Sequence, residues 1–231
     1  MALPLYLAMT AAEIRKNPHL PDNPGYMACH FSPYGTGLSN LPENLPPGTL
    51  LILNDRTPIH GHNPHQILDQ LSEILDRFRC RGLLLDLQRP DCLETKALAA
   101  HLVENLPRPP LLSNTYAEGF SCPVLLPPAP LDTILSEYIS PWSGREIWLE
   151  AALDALQLTL TDQSCTSVPL PCPTEPEGFH EPKLHCHYHI QLIDQKAEFT
   201  LYRTREDLDT LLEEAEALGI SAAVGLWQEL G

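Results

Sequence analysis

The chain has 231 residues, enough for one large domain or two small ones, and 43% hydrophobic against 19% charged residues is a globular composition. Its formal net charge of −16, with only 14 scattered Lys and Arg, argues against a polyanion, because phosphate recognition needs clustered cations; no nucleic acid partner is expected. The 24 prolines, about twice the usual share, imply many loops. Seven cysteines with no CxxC pair suggest neither a disulfide framework nor a zinc ribbon, so a reducing, cytoplasmic location is expected.

The opening "MALPLYLAMTAAEIRK" carries an apolar run too short to span a bilayer, with no positive residue before it. It reads as a first buried strand, and no membrane partner is expected; a signal peptide cleaved near "AMTAA" is the minority reading. In chain order, the strand candidates are "LPLYLAM", "YMACHF", "TLLILN", "GLLLDL", "PPLLSN", "CPVLL", "REIWLE" and "AAVGLW", short apolar runs separated by polar loops and amphipathic stretches. Eight is the number a closed barrel needs. Between the third and fourth, Ile67, Leu68, Leu71, Ile74, Leu75 and Phe78 share one helical face, with Asn63 as cap and Pro64 in the first turn. "CLETKALAAHLVENL" repeats the pattern after the fourth strand. "TREDLDTLLEEAEALG" does so again near the end, with Thr204 as N-cap, Asp207 at the capping-box position and Gly219 as C-cap.

Residues 151 to 203 break this alternation. "LQLTLTD" and "HCHYHIQLIDQKAEFTLYRT" have period two, which predicts an antiparallel insertion with a hairpin turning near Asp194 to Lys196. Residues 171 to 183, Pro-rich, are the one stretch that reads as a candidate for disorder. The expected fold is α/β: a single domain over residues 1 to 231, a trimmed (β/α)8 TIM-like barrel with an antiparallel β insertion at 151 to 203, before the last β/α unit.

Two segments resemble glycoside hydrolase family 18, the chitinase-like barrels, and in particular their spore-associated peptidoglycan members. The fourth strand of that family reads roughly D-G-I-D-I-D-F-E-Y-P, whose Glu is the acid and whose last Asp assists it. The ten residues "RGLLLDLQRP" keep Gly82, Asp86 and Pro90, but Leu84 stands in place of an Asp and Gln88 in place of the acid. The C-terminal "AEFTLYRTREDLDTLLEEAEALGISAAVGLWQELG" is similar to the family's ending, which makes Trp227 the Trp at the floor of the sugar-binding cleft. The family's Met-x-Tyr-Asp motif has its nearest counterpart by order in "REIWLEA". The resemblance implies a mechanism in which the substrate's N-acetyl group is the nucleophile, Asp86 orients it and a proton donor protonates the leaving oxygen. An amide does not donate that proton, so the resemblance implies a site that binds without cleaving.

In a parallel barrel the strand C-termini form the mouth. Asp86 and Gln88 are expected there, with His30, Asp55, Arg56, Glu150 and Trp227 as further ligand-binding candidates for a carbohydrate or small molecule; Asn54 is a neighbour. A buried Asp86 must be paired or solvated, and the bland reading pairs it with Arg56 or Arg89. Two histidine groups raise a metal reading. His60 and His62, with His65, lie in a loop after a strand, and His185, His187 and His189 share one strand face, so a metal-dependent hydrolase is the competing function. The third reading is a structural or interaction protein with a filled barrel mouth. Cys29 and His30 are adjacent in a strand and point to opposite faces, which rules against a nucleophile–base pair. Gly35 and Gly37 mark a turn, not a phosphate loop, and Trp142 and Trp148 read as core. No cofactor is expected.

Overall fold

The computed structural model describes residues 2–35, 37–89, 92–161, 163–173, 178–193 and 196–231. Pro90 and the residues 194 and 195 at the predicted hairpin turn lie outside the described residues. In chain order the strands are β1 (Leu5–Met9), β2 (Pro24–Phe31), β3 (Leu38–Ser39), β4 (Leu50–Asn54), β5 (Gly82–Asp86), β6 (Leu111–Ser113), β7 (Val124–Leu126), β8 (Ile147–Ala151), β9 (Ala155–Leu160), β10 (Cys165–Pro169), β11 (Phe179–Glu181), β12 (Cys186–Ile193), β13 (Lys196–Tyr202) and β14 (Ala222–Leu226). The helices are α1 (Ala11–Lys16), α2 (Pro64–Arg77), α3 (Leu93–Asn105), α4 (Asn114–Ala117), α5 (Leu135–Ile139), α6 (Arg205–Ala217) and α7 (Trp227–Leu230).

Eight strands close a parallel barrel in the order β1-β14-β8-β7-β6-β5-β4-β2, with β1 pairing β2 to complete the circle; β3 adds an antiparallel edge outside it. These are the eight strands that the apolar runs predict. The barrel is trimmed: only α2, α3 and α6 exceed three turns, while the connections after β6 and β7 carry helices of 4 and 5 residues. Strand parity sorts the side chains into two buried layers. Tyr6, Leu50, Ile52, Leu84, Leu111, Leu125, Trp148 and Val224 fill the barrel interior, with the Tyr6 and Trp148 rings stacked at 5.2 Å. The residues that alternate with them, Leu51, Leu53, Leu83, Leu85, Leu112 and Leu149 among them, face the helices.

Local chemistry sets the helix boundaries. The Asn63 side chain accepts from the His65 amide ahead of Pro64, and Thr204 and Asp207 form a complete capping box on α6. At the far end of α6 the C-cap is Leu218, one residue before the predicted Gly219, which follows it with φ +85°.

The insertion is a five-stranded antiparallel sheet, β10-β9-β13-β12-β11, between β8 and α6. Its period-two apolar residues Leu156, Leu158, Tyr188 and Phe199 gather around Cys186, Leu201 and Leu131 of the β7–α5 loop. β11 forms within the stretch 171 to 183 that reads as a candidate for disorder. One expectation is corrected: His185, His187 and His189 do not share a strand face. β12 starts at Cys186, and His185 sits in the preceding turn at φ +49°, where its Nε2 meets Glu214 of α6 at 2.6 Å. His187 and His180 instead share the two carboxylate oxygens of Asp207, at 2.8 and 3.0 Å, which ties the sheet to the start of α6.

Candidate functional site

The inward parity of Leu50, Leu84 and Trp148 continues to the strand exits, so Asn54, Asp86 and Glu150 emerge on the inner face at the C-terminal mouth. An open cavity of about 860 Å³ lies over the first four barrel strands, and His30, Asn54, Asp55, Arg56, Asp86 and Gln88 all line it. Five of the sequence candidates for ligand binding therefore sit in one groove with Asn54.

Gln88 turns its amide nitrogen onto Asp86 and donates to Oδ1 at 2.6 Å. Among the described residues Asp86 has no arginine partner: burial pushes its carboxyl above the usual range, the Gln88 hydrogen bond opposes that, and the nearby Asp55 charge adds to it. Arg56 is exposed at the groove, and Arg89 is committed elsewhere, donating from Nε to the Asp55 carbonyl (3.0 Å) and from Nη2 to the Arg56 carbonyl (3.1 Å). The Asp86–arginine pairing weighed from sequence is thus replaced by an Asp86–Gln88 hydrogen bond.

Asp55 is 5% exposed, and its Oδ2 accepts from the backbone amides of Gln88 (3.1 Å) and Arg89 (2.8 Å). It fixes the exit of β5 from the neighbouring loop. Asp55→Asn keeps an acceptor but loses its charge, and is expected to lower stability by about 1 kcal/mol, read from the urea midpoint at pH 7. Asn54 bridges the irregular stretch of β2, donating to the carbonyls of Met27 (3.0 Å) and Cys29 (3.1 Å). Cys29 itself faces the outer core, where burial pushes its thiol up to about 12, while His30 faces the groove. The His30 Nδ1 is buried without a hydrogen-bond partner among the described residues, and burial followed by the Arg56 charge lowers the imidazole's pKa.

Glu150 occupies the other side of the mouth. Burial pushes its carboxyl up to about 7, helped by the charges of Asp86, Asp154 and Glu229. Above it, Tyr138 donates to the Pro127 carbonyl at 3.0 Å, and burial together with Glu150 pushes its phenol to about 12. Asp154 and Glu229 carry no sequence signal of their own, since they come from a loop and from α7; Glu229 is held by accepting the Leu153 amide at 2.5 Å. Arg15, Tyr26 and Asn40 also line the groove and were not singled out by sequence. Trp227 opens α7 and packs, half-buried, against the outer core; it is not among the residues lining the groove.

In the histidine loop, His62 is committed. His62 accepts from the His60 amide at Nδ1 (3.1 Å) and pairs Nε2 with the Ser32 carbonyl (3.1 Å), which occupies both of its ring nitrogens. Among the described residues no three His, Cys, Asp or Glu side chains stand close enough together to hold a metal ion. None of the described helices is long and apolar enough to cross a membrane.

No family model and no curated protein sequence matches the chain. Solved structures do. The spore cortex-lytic enzyme SleL of Bacillus cereus aligns with 99% of this chain and 71% of its own at 9% identity and a TM-score of 0.56. A family 18 chitinase from Cycas revoluta in complex with allosamidin aligns with 98% of this chain and 94% of its own at 12% identity and a TM-score of 0.56. A doubly substituted form of the Cycas revoluta chitinase, with one change from glutamate to glutamine, was solved with (GlcNAc)4 and aligns over the same shares at 11% identity and the same TM-score. The fold is therefore the barrel of the family 18 glycoside hydrolases. In architecture this chain is similar to both chitinases and a spore cortex-lytic enzyme.

Proposed function

We propose that this chain is a divergent family 18-like barrel that lacks glycosidase activity and binds a carbohydrate or glycan-derived ligand at the strand C-termini. The observation that carries this reading is the Gln88–Asp86 hydrogen bond at the exit of the fourth barrel strand. An amide stands where the resemblance calls for a proton donor, and it engages the residue that the resemblance makes the orienting carboxylate. General acid catalysis contributes about 10²–10⁴-fold, so its loss removes most turnover. Binding needs none of that proton transfer. The 860 Å³ groove is of ligand size, and its polar lining offers hydrogen bonds to sugar hydroxyl and acetamido groups. The oligosaccharide bound to the glutamate-to-glutamine form of the Cycas revoluta chitinase is consistent with binding by a barrel of this fold.

The test is calorimetric titration of the wild-type chain with N-acetylglucosamine oligomers and peptidoglycan fragments, with product analysis after long incubation. Binding without shortened products is expected, with affinity falling about tenfold in Asp86→Ala. If the folded protein binds none of these ligands, the reading fails.

A further inference from the structure

The opposite, N-terminal end of the barrel also opens into a cavity, of about 310 Å³, bounded by the starts of β4 to β8. Its apolar wall is formed by Leu50, Leu111 and Trp148, and two guanidinium side chains, Arg81 and Arg108, stand around it. Neither arginine makes a side-chain hydrogen bond or ion pair with another described residue, in a chain that has 30 acidic residues to offer. The only carboxylate in the lining is Glu146, whose Oε1 accepts from the Trp148 indole at 2.9 Å. Two cations against one anion leave the opening with one net positive charge.

Gly82 explains why this space exists. It pairs with Leu50 in the lowest layer of the barrel and points inward, as Leu84 does two residues later. Gly25, on the other side of Leu50, is tightly enclosed: a Cβ there would lie 3.2 Å from the Ala8 Cα and 3.3 Å from the Ile52 Cδ1. Gly82 is different. A Cβ on it would meet no atom within 4 Å, and its backbone is outside the left-handed region, so neither packing nor conformation requires a glycine. Gly82 opens β5, and a glycine in a strand can mark a place where another group approaches the backbone closely. Among the described residues, no protein atom makes that approach here.

We propose that the N-terminal opening of the barrel is a second binding site, which takes a small organic monoanion with its apolar body over Gly82 and Trp148 and its carboxylate between Arg81 and Arg108. The net charge selects a monoanion over a phosphate dianion, and the volume admits a compact body of about the size of benzoate, at the lower limit of ligand pockets. Arginine forks match carboxylate geometry, and a partly apolar surround strengthens the pairing. This site stands independently of the glycan groove at the other mouth.

Benzoate and its neutral isostere benzamide, titrated into the full chain and followed by ligand-observed NMR, test it. Benzoate is expected to bind at least tenfold more tightly than benzamide. Arg81→Gln and Arg108→Gln should each weaken benzoate about tenfold and leave benzamide unchanged. Gly82→Leu should abolish binding of both while circular dichroism shows a folded chain, and Gln88→Glu at the far mouth should change neither. No binding by wild type, equal affinity for the two probes, binding that survives Gly82→Leu, or sensitivity to Gln88→Glu would each overturn the proposal. Should Gly82→Leu fail to fold, unchanged benzoate affinity in both exposed-arginine variants overturns it equally.

Discussion

Gln88→Glu is expected to give this barrel a rate of hydrolysis on N-acetylglucosamine oligomers at least about 10²-fold above wild type, read by release of shortened oligomers at pH 5 to 6. The expectation rests on position. Gln88 already reaches Asp86 at 2.6 Å from the lip of an open groove, so a glutamate of equal length would set a carboxyl against a carboxylate inside a partly buried mouth. Two carboxyls at that distance do not both ionise; they share a proton, and the shared proton is what a leaving oxygen needs. Burial and the Asp55 charge already raise Asp86, which keeps such a pair protonated further toward neutrality. No gain of rate in a variant that still binds the oligomers would show that the cleft no longer places a glycosidic bond over the β5 exit.

The second departure from the family's strand should not be reversed along with the first. Leu84 lies two residues below Asp86 on the same face, 2% exposed inside the apolar interior with Ile52 and Trp148. Leu84→Asp would bury a carboxylate with no cation beside it and is expected to lower stability by about 3–5 kcal/mol, enough to unfold a marginal domain. Around Leu84 the interior is apolar, and Asp86 is the first carboxylate on the inner face of this strand.

Much of this was legible from sequence, for reasons visible residue by residue. Barrel strands are buried on both faces, so "LLILN" and "GLLLD" appear as unbroken apolar runs between turn signals, and parity then carries Asn54 and Asp86 to the inner face of the mouth. The insertion is solvated on one face and shows period two for the same reason. What was not legible depends on tertiary approach. Glu229 reaches Glu150 from the far end of the chain and Asp154 from the loop that follows β8, Arg89 turns to the β4 loop instead of to Asp86, and His185 stays in the turn before β12 at a positive φ. α4 and α5, at 4 and 5 residues, are too short for a helical period to emerge. The "REIWLEA" segment is the seventh barrel strand, and it contributes a carboxyl whose neighbours no local pattern announces.

That carboxyl makes stability depend on pH. Glu150 has its pKa raised from 4.5 to about 7 by burial and by three neighbouring acids, Asp86, Asp154 and Glu229. Between those two values the folded chain holds a proton that the unfolded chain has lost, so stability is greatest at the acid end of the window and falls as pH rises toward 7. A shift of this size corresponds to about 3 kcal/mol, reduced to about 2 kcal/mol because part of the carboxyl is solvated. Glu150→Gln keeps the shape without the titration. It is expected to be more stable than wild type at pH 8 by about 2 kcal/mol, to lose that advantage near pH 5, and to flatten the urea midpoint between them. Asp86 and Asp154, also raised by burial, act in the same direction. His30, lowered by burial, acts in the opposite one, so the comparison must be made between the two proteins at each pH and not within one. Parallel profiles for wild type and Glu150→Gln would mean that solvent reaches Glu150 freely. Diverging profiles would locate a protonated carboxyl at the mouth near neutrality, a hydrogen-bond donor facing a ligand from the side opposite Gln88.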